Sequence, residues 1–249
     1  MNPQFAGQYG DFERWHWWFR ARREILETAI RRELGSQRGI AIASVGCGPA
    51  EGLWWLRELM DDAARVIGLD ADRVHAQTAS EVERVEYVIG RVEAQPFASR
   101  SLDAVLALDV IEHLDDDAAG LREIARTLKP GGLFVVTVPA LPSLWGTQDV
   151  VNHHRRRYTK RTLLDAFARA GLPRPRSTYF NTLLFPPIAA VRWIRRALGQ
   201  TEGTQSDFED NRPGVANELL RAVFAAERHL VGRVPLPIGV SLLATTRLA

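Results

Sequence analysis

A single cysteine, Cys47, is present in the 249 residues, so no disulfide can form within the chain, as suits a reducing compartment. Apolar runs of the roughly 18–20 residues needed to span a bilayer are also missing. The amino terminus sets Asp11 and Glu13 among aromatics and lacks the layout of a signal peptide, so a cytoplasmic location is expected. Lysine is scarce, and a large excess of one charge sign is absent at a formal net charge of +2. Arginine therefore supplies nearly all the positive charge, gathered in "RARR", "RR" and "RRR" runs. Such runs meet phosphates, carboxylates or a membrane surface, or simply form a solvated basic face. With 46% apolar and 25% charged residues, extensive disorder is excluded and one sizeable globular domain is expected. Only "GQTEGTQSDFEDNRPG" has the low hydrophobicity of a mobile loop, and no internal repeat is visible.

The pattern of apolar residues gives the organisation. From Trp17 to about Leu34 they recur at helical spacing among arginines, predicting a leading amphipathic helix. Ile40 to Val45 reads as a strand, "EGLWWLRELM" as a helix, "RVIGLD" as a strand ending at Asp70, and "VEYVIG" as another. The unbroken apolar run of "SLDAVLALDV" suits a strand covered on both faces. A helix from Ala118 to Leu128, stopped by "KPGG", then precedes the strand "LFVVTVP". Alternating strands and helices imply a doubly wound α/β sheet. Beyond Pro139 the expectation is a long loop "ALPSLWGTQDVVNHHRRRY", a capped helix ended by Gly171, a strand "RSTYFNT", a helix "LLFPPIAAVRWIRRAL", a last helix from about Val215 to Val231, and a closing strand "GVSLLATTRL". The chain is expected to divide into an N-terminal helical cap (1–38), a cofactor-binding core (39–139) and a substrate-side remainder (140–249).

The stretch "IASVGCGPAEG" marks the first strand-to-helix turn, where open α/β sheets bind ligands outside the carboxyl ends of their strands. Glycine there lets a ligand approach the backbone. Asp70 ends the next strand at about the distance expected of a carboxylate that binds ribose hydroxyls, although a helix cap would use the same residue. Both features suit an adenosine ligand.

"SVGCGPAEG", "VIGLDAD", "GRVEAQPFASRSLDAVLALDVIEHL" and "EIARTLKPGGLFVVTVP" resemble the successive motifs of small bacterial class I S-adenosylmethionine-dependent methyltransferases of type 11/12. "HWWFRARREIL", "LWGTQDVVNHHRRRYT" and "LPIGVSLLATTR" resemble flanking motifs of a subgroup. The resemblance implies a Rossmann-like seven-stranded, mostly parallel sheet with its last strand antiparallel. It also implies S-adenosylmethionine as cofactor, with S-adenosylhomocysteine as product. Carried over by position, Val45, Gly46, Cys47 and Gly48 face the methionine part, Asp70 and Ala71 the ribose, Arg91 and Val92 the adenine, and Leu108, Asp109 and His113 the amino-acid end or the sulfonium. Two positions depart from the family. Ser44 stands where an acidic residue is usual, and Arg91, which has only hydrogen-bond donors, where an aspartate usually receives the adenine amine. Arg91 either turns outward to water or answers a negative charge on an unusual cofactor or substrate.

Candidate bases are His113 and His154, the latter in the "HHRRRY" loop, and no metal is expected. Trp17, Trp18, Arg22, Trp145, His153, Arg157 and Tyr158 are the candidate acceptor residues; guanidinium forks favour an anionic small molecule. "LLFPPIAAVRWIRRAL" is expected to pack into the core, the alternative being peripheral contact with an anionic membrane and a lipid-linked acceptor. O- or N-methylation of a small metabolite is the expected function. Its alternative is a catalytically altered protein of the same fold, using a modified cofactor or serving as a binding or regulatory partner. The basic runs are interleaved with acids and no separate recognition module is visible, so nucleic acid is not expected as a partner. Oligomeric state is left open.

Overall fold

The computed structural model describes residues 10–49, 51–61, 64–73, 83–199, 208 and 211–248. Most of the segment expected as a mobile loop, 199–214, lies outside them. Helix α1, Trp17–Leu34, has the expected bounds. Its start is capped by the His16 ring, which accepts the Trp18 N–H at 3.2 Å, and Gly35, at φ +60°, ends it. The stripe Trp17, Ala21, Ile25, Leu26, Ala29, Ile30 and Leu34 is buried, as its spacing requires.

Seven strands follow: β1 Ala41–Val45, β2 Arg65–Asp70, β3 Val85–Ile89, β4 Leu102–Leu108, β5 Leu128–Pro139, β6 Arg176–Phe180 and β7 Ser241–Arg247. They form one sheet in the order β3-β2-β1-β4-β5-β7-β6. The first five run parallel, and β7 lies antiparallel between β5 and β6. This is the expected fold class. The strand order reverses between β1 and β4, which opens a crevice at their carboxyl ends. Helices α2 (Glu51–Leu59) and α3 (Asp117–Thr127) connect strands on opposite faces, α2 packing with α1 in one core layer and α3 with α5 (Lys160–Arg169) in the other. No helix among the described residues is long and apolar enough to cross a membrane.

Four expectations are corrected. β5 begins before "KPGG" rather than after it, because Leu102 pairs with Leu128 and Ala104 with Leu133, so Lys129 to Gly132 bulge from the ladder. Pro130 lacks an N–H to donate and Gly131 takes φ +75°, which suits a bulge. The long loop after Pro139 contains a 3₁₀ turn, Pro142–Leu144, and a short helix α4, Thr147–Val151, started by Asp149 accepting the Gly146 N–H at 2.9 Å. Finally, the helix expected in the core, α6 (Phe185–Ala197), buries only Ala189 and stands on the surface. The last helix, α7 (Val215–Ala225), passes into a 3₁₀ turn, Ala226–His229, instead of continuing to Val231. It packs on α1, where Asn217 accepts the Trp17 N–H at 2.9 Å and donates to the Trp15 carbonyl at 2.9 Å.

Gly68 on β2 lies directly under α2: a Cβ there would sit 2.4 Å from Leu53 Cδ1 and 2.9 Å from Cys47 Sγ. Gly68→Ala is expected to lower stability by about 1–3 kcal/mol through overpacking. Urea denaturation checks this; an unchanged midpoint would contradict the close contact.

Candidate active site

The β1–α2 turn is held open by its glycines and closed by Asp70. Gly46 and Gly48 take φ +61° and +67°. A Cβ on Gly46 would press on Val110 at 2.9 Å, whereas Gly48 faces nothing within 4 Å. The Asp70 carboxylate accepts the Gly48 N–H at 2.8 Å and the Asp72 N–H at 2.9 Å, tying the end of β2 to the turn. Beside this turn runs a cleft of about 530 Å³. Gly46, Cys47, Gly48, Asp70, Ala71, Arg91, Val92, Leu108, Asp109 and His113 line it. Val45 does not: its side chain is buried in the core, because strand alternation turns it away. Burial and the neighbouring Asp70 push the Cys47 thiol far up, so it stays protonated.

The two unusual positions behave differently. The Arg91 side chain is 74% exposed and reaches Glu93 at 3.2 Å, so it turns outward. Ser44 is buried on the cleft wall. Charge in the cleft comes instead from Arg22 and Asp109, paired at 2.6 Å and both bonded to Thr137 Oγ1 at 3.2 Å. Arg22, expected at the acceptor, thus stands on the wall of this cleft, where Asp109 holds it.

A second cavity of about 310 Å³ lies between α1, α6 and α7. Trp17, Trp18 and Arg157 line it, as does His16, which the sequence did not single out. Four residues line both spaces: Trp18, Asp109, Asn152 and His154. Polar atoms without hydrogen-bond partners among the described residues border the second cavity: both amide atoms of Asn181, which is fully buried at φ +57°, Asn152 Oδ1 and His16 Nε2. Such atoms are costly to bury alone and mark where a ligand's polar groups would be received. Asn181 carries no signal of its own in the sequence, because it lies far along the chain from the other wall residues.

His154 is oriented from behind. Its Nδ1 lies 2.9 Å from Asp149 Oδ1, and the same oxygen accepts from Arg157 Nε at 2.8 Å. Burial alone would raise the Asp149 carboxyl, but the bond to His154 and the Arg157 and Arg192 guanidinia outweigh it and hold it down at about 2. An ionised Asp149 selects the Nδ1–H tautomer and leaves the Nε2 lone pair available. That nitrogen lies 3.9 Å from Glu112 Oε1, and the His113 ring sits edge-on at 4.8 Å. Burial, then Asp109, drives the Glu112 carboxyl well up, so a neutral acid faces two imidazoles. Candidate ligand atoms of Glu112, His113 and His154 lie within 4.8 Å of one another, the grouping among the described residues with the chemistry to hold a cation.

The rest of the "HHRRRY" loop is structural. Arg155 donates to the His113 carbonyl at 2.9 Å, Arg156 to the Leu114 carbonyl at 2.8 Å, and Arg157 to the Ala140 carbonyl at 2.8 Å. Tyr158, buried, donates to Asp117 at 2.9 Å instead of lining a cavity. His153 is exposed at φ +56° and Trp145 lines neither cavity, so both leave the candidate acceptor set along with Tyr158. Guanidinium forks expected to grip a substrate are mostly occupied by carbonyls left open at loop and turn ends.

Residues 43–136 match the family described as a methyltransferase domain. A probable S-adenosylmethionine-dependent methyltransferase of Mycolicibacterium smegmatis is 34% identical over 126 residues, covering 50% of this chain and 46% of that protein. A demethylmenaquinone methyltransferase of Lactococcus lactis is 29% identical over 127 residues, 49% of this chain and 50% of its own. The chain spans about half the length, or less, of these two relatives. Among solved structures, a chain in the complex of the Haloferax volcanii Trm112 methyltransferase activator with a putative methyltransferase superposes with a TM-score of 0.60 at 21% identity, over 98% of this chain and 94% of that one. The geranyl diphosphate C-methyltransferase of Streptomyces coelicolor A3(2), solved with Mg2+, geranyl diphosphate and S-adenosyl-L-homocysteine, gives 0.57 at 16% identity, over 90% and 78%. These structural likenesses speak to the fold.

Burial lowers both His16 and His113 to about 4, the neighbouring His154 adding to the effect at His113. Both are neutral in the fold and take up protons on unfolding below their ordinary value near 6.5, so their contribution is intact above that value and is lost as the pH falls from about 6.5 to 4. His113→Gln is expected to flatten this loss by about 1–2 kcal/mol in denaturation midpoints taken across that range. An unaltered pH profile would contradict the buried neutral imidazole.

Proposed function

We propose, for a chain whose core belongs to the class I S-adenosylmethionine-dependent methyltransferases, that it transfers a methyl group to a small anionic or lipid-linked molecule held in the second cavity. The observation that carries this reading is the wall shared by the two spaces, made of Trp18, Asp109, Asn152 and His154. A ligand in either space abuts that wall, as transfer between two bound molecules demands.

The cofactor fits the cleft on chemical grounds. A volume of about 530 Å³ lies in the range of small-molecule sites. Gly48 offers backbone with no side chain in the way, and Asp70, fixed by its bond to that backbone, offers a carboxylate to ribose hydroxyls. The Arg22–Asp109 pair matches the carboxylate and ammonium of a methionine end, supplying the charge that Ser44 lacks. With Arg91 turned outward, adenine is left to backbone groups around Val92, and the unusual-cofactor alternative loses its main support. When bound, S-adenosylmethionine supplies an electrophilic sulfonium methyl.

On the acceptor side, His154 Nε2 takes the proton released by a hydroxyl or amine nucleophile, and Asp149 holds the ring and stabilises the imidazolium that forms. Asn181 and Asn152 receive the acceptor's polar groups, and Trp17 and Trp18 cover its apolar part and exclude water. Glu112 lies on the Nε2 side of His154 at 3.9 Å, and the His113 ring meets it edge-on at 4.8 Å.

Calorimetric titration with S-adenosylmethionine is expected to give micromolar binding that Asp70→Ala weakens by about 100-fold or more. His154→Ala should keep cofactor affinity within about twofold yet slow transfer of labelled methyl groups into a bacterial metabolite extract by roughly 10²–10⁴. Equal labelling by His154→Ala and the parent would remove His154 from catalysis; unchanged affinity in Asp70→Ala would remove the ribose contact.

A further inference from the structure

Glu112 and His113 sit on the 3₁₀ turn Ile111–His113 that leaves β4, and His154 belongs to the loop after β5. No single segment holds all three, so no metal-ligand spacing is visible in the sequence. The two segments are stapled beside these side chains. Arg155, next to His154, donates its backbone N–H to the Glu112 carbonyl at 2.9 Å and its Nε to the His113 carbonyl at 2.9 Å. The side chains offer nitrogen and oxygen atoms within 4.8 Å of one another.

Glu112 is fully buried, and neither of its carboxyl oxygens has a hydrogen-bond partner among the described residues. Such a group is expensive in either protonation state. His154 Nε2 stands 3.9 Å from Glu112 Oε1, beyond hydrogen-bond distance, while Nδ1 on the other side of the ring faces Asp149 at 2.9 Å. A carboxylate behind an imidazole whose far nitrogen is open is the usual support of a metal-binding histidine. The His113 ring stands edge-on to the His154 ring at 4.8 Å. Nearby guanidinium groups already have counter-charges, Arg22 in Asp109 and Arg157 in Asp149.

We propose that Glu112, His113 and His154 form a binding site for a divalent first-row transition-metal ion. Two imidazoles and one carboxylate suit ions such as Zn2+ or Co2+, whereas Mg2+ and Ca2+ prefer oxygen throughout. An ion about 2.0–2.2 Å from each ligand atom sets those atoms roughly 3–3.5 Å apart, so the side chains draw inward on binding while the stapled backbone stays. The ion displaces the proton that burial keeps on Glu112 and gives both carboxyl oxygens a counter-charge. Three protein ligands leave a coordination position open. His113 lines the cleft and His154 lines both spaces, so a molecule bound there can reach that position. With Nε2 on the ion, His154 has no lone pair for an acceptor's proton; the base role described above belongs to the metal-free chain. The metal site does not rest on that role.

The full chain, free of any histidine tag and stripped with a chelator, is titrated calorimetrically with Zn2+, Co2+ or Mg2+. Zn2+ and Co2+ are expected to bind one per chain with a Kd of about 10 μM or tighter, Co2+ with new visible absorption bands, and Mg2+ at least about 100-fold more weakly. Glu112→Gln, which keeps the side chain's shape, and His154→Gln should each weaken Zn2+ by about 100-fold or more and abolish the cobalt bands. His153→Ala, at the exposed neighbour, should leave the affinity within about twofold. If Glu112→Gln fails to fold, His154→Gln carries the same comparison. Zn2+ binding no tighter than about 1 mM overturns the proposal. So does parent-like affinity in the folded ligand variants, which puts the ion elsewhere, or loss of binding in His153→Ala, which puts it on the exposed loop. Absence of methyl transfer with Zn2+ binding as expected would count against the catalytic reading and leave the metal site standing.

Discussion

The loop beside the second cavity depends on one buried carboxylate. Asp149 starts the short helix α4 through the Gly146 N–H, receives Arg157 from the loop after it, and aims the His154 ring at the wall between the two cavities. A fully buried carboxylate is tolerated only when its charge is met by hydrogen bonds and cations, and here three elements converge to meet it. Remove the carboxylate and the buried Arg157 guanidinium loses this counter-charge, which costs more than the lost pair itself. The same contact therefore orders the loop and selects the tautomer that leaves Nε2 open.

Arginine has two uses in this chain, and a run of letters does not distinguish them. In "HHRRRY" three successive guanidinium groups close carbonyls at the end of the turn after β4 and at Ala140, stapling the loop across the carboxyl ends of the strands. Arg22 instead pairs with Asp109 on the cleft wall, where a matched positive and negative group suit a zwitterion. The outward Arg91 does neither, since its side chain is in water beside Glu93. Which use applies follows from the acceptors nearby, information that only the fold supplies.

The parallel core was plain in the sequence because each of its parts carries its own local signal. Fully apolar strands, glycine at a turn requiring positive φ, and Asp70 at the end of β2 are features of single segments, and they landed where expected. Ser44 and Arg91 stood out as departures for the same reason. The second cavity was hidden because its walls come from α1, the loop after β5, the end of β6, α6 and α7, and nothing in any one of these segments names the others. Asn181 and Asp149 look like ordinary loop residues until burial removes their water. Helix α6 misled for a different reason: apolar periodicity says that a face will be covered, and leaves open whether protein or something else covers it. Tyr158 and Trp145 show the converse, aromatic residues beside a candidate base whose rings serve packing.

The central claim is that the shared wall of Trp18, Asp109, Asn152 and His154 separates methyl donor from acceptor. A crystal structure of the chain with S-adenosylhomocysteine tests it most directly. The expected result is a ribose on Asp70, a methionine end between Arg22 and Asp109, and a sulfur facing that wall with its open side toward the second cavity. A sulfur turned away from the wall, or a ligand bound outside the cleft, would contradict the account.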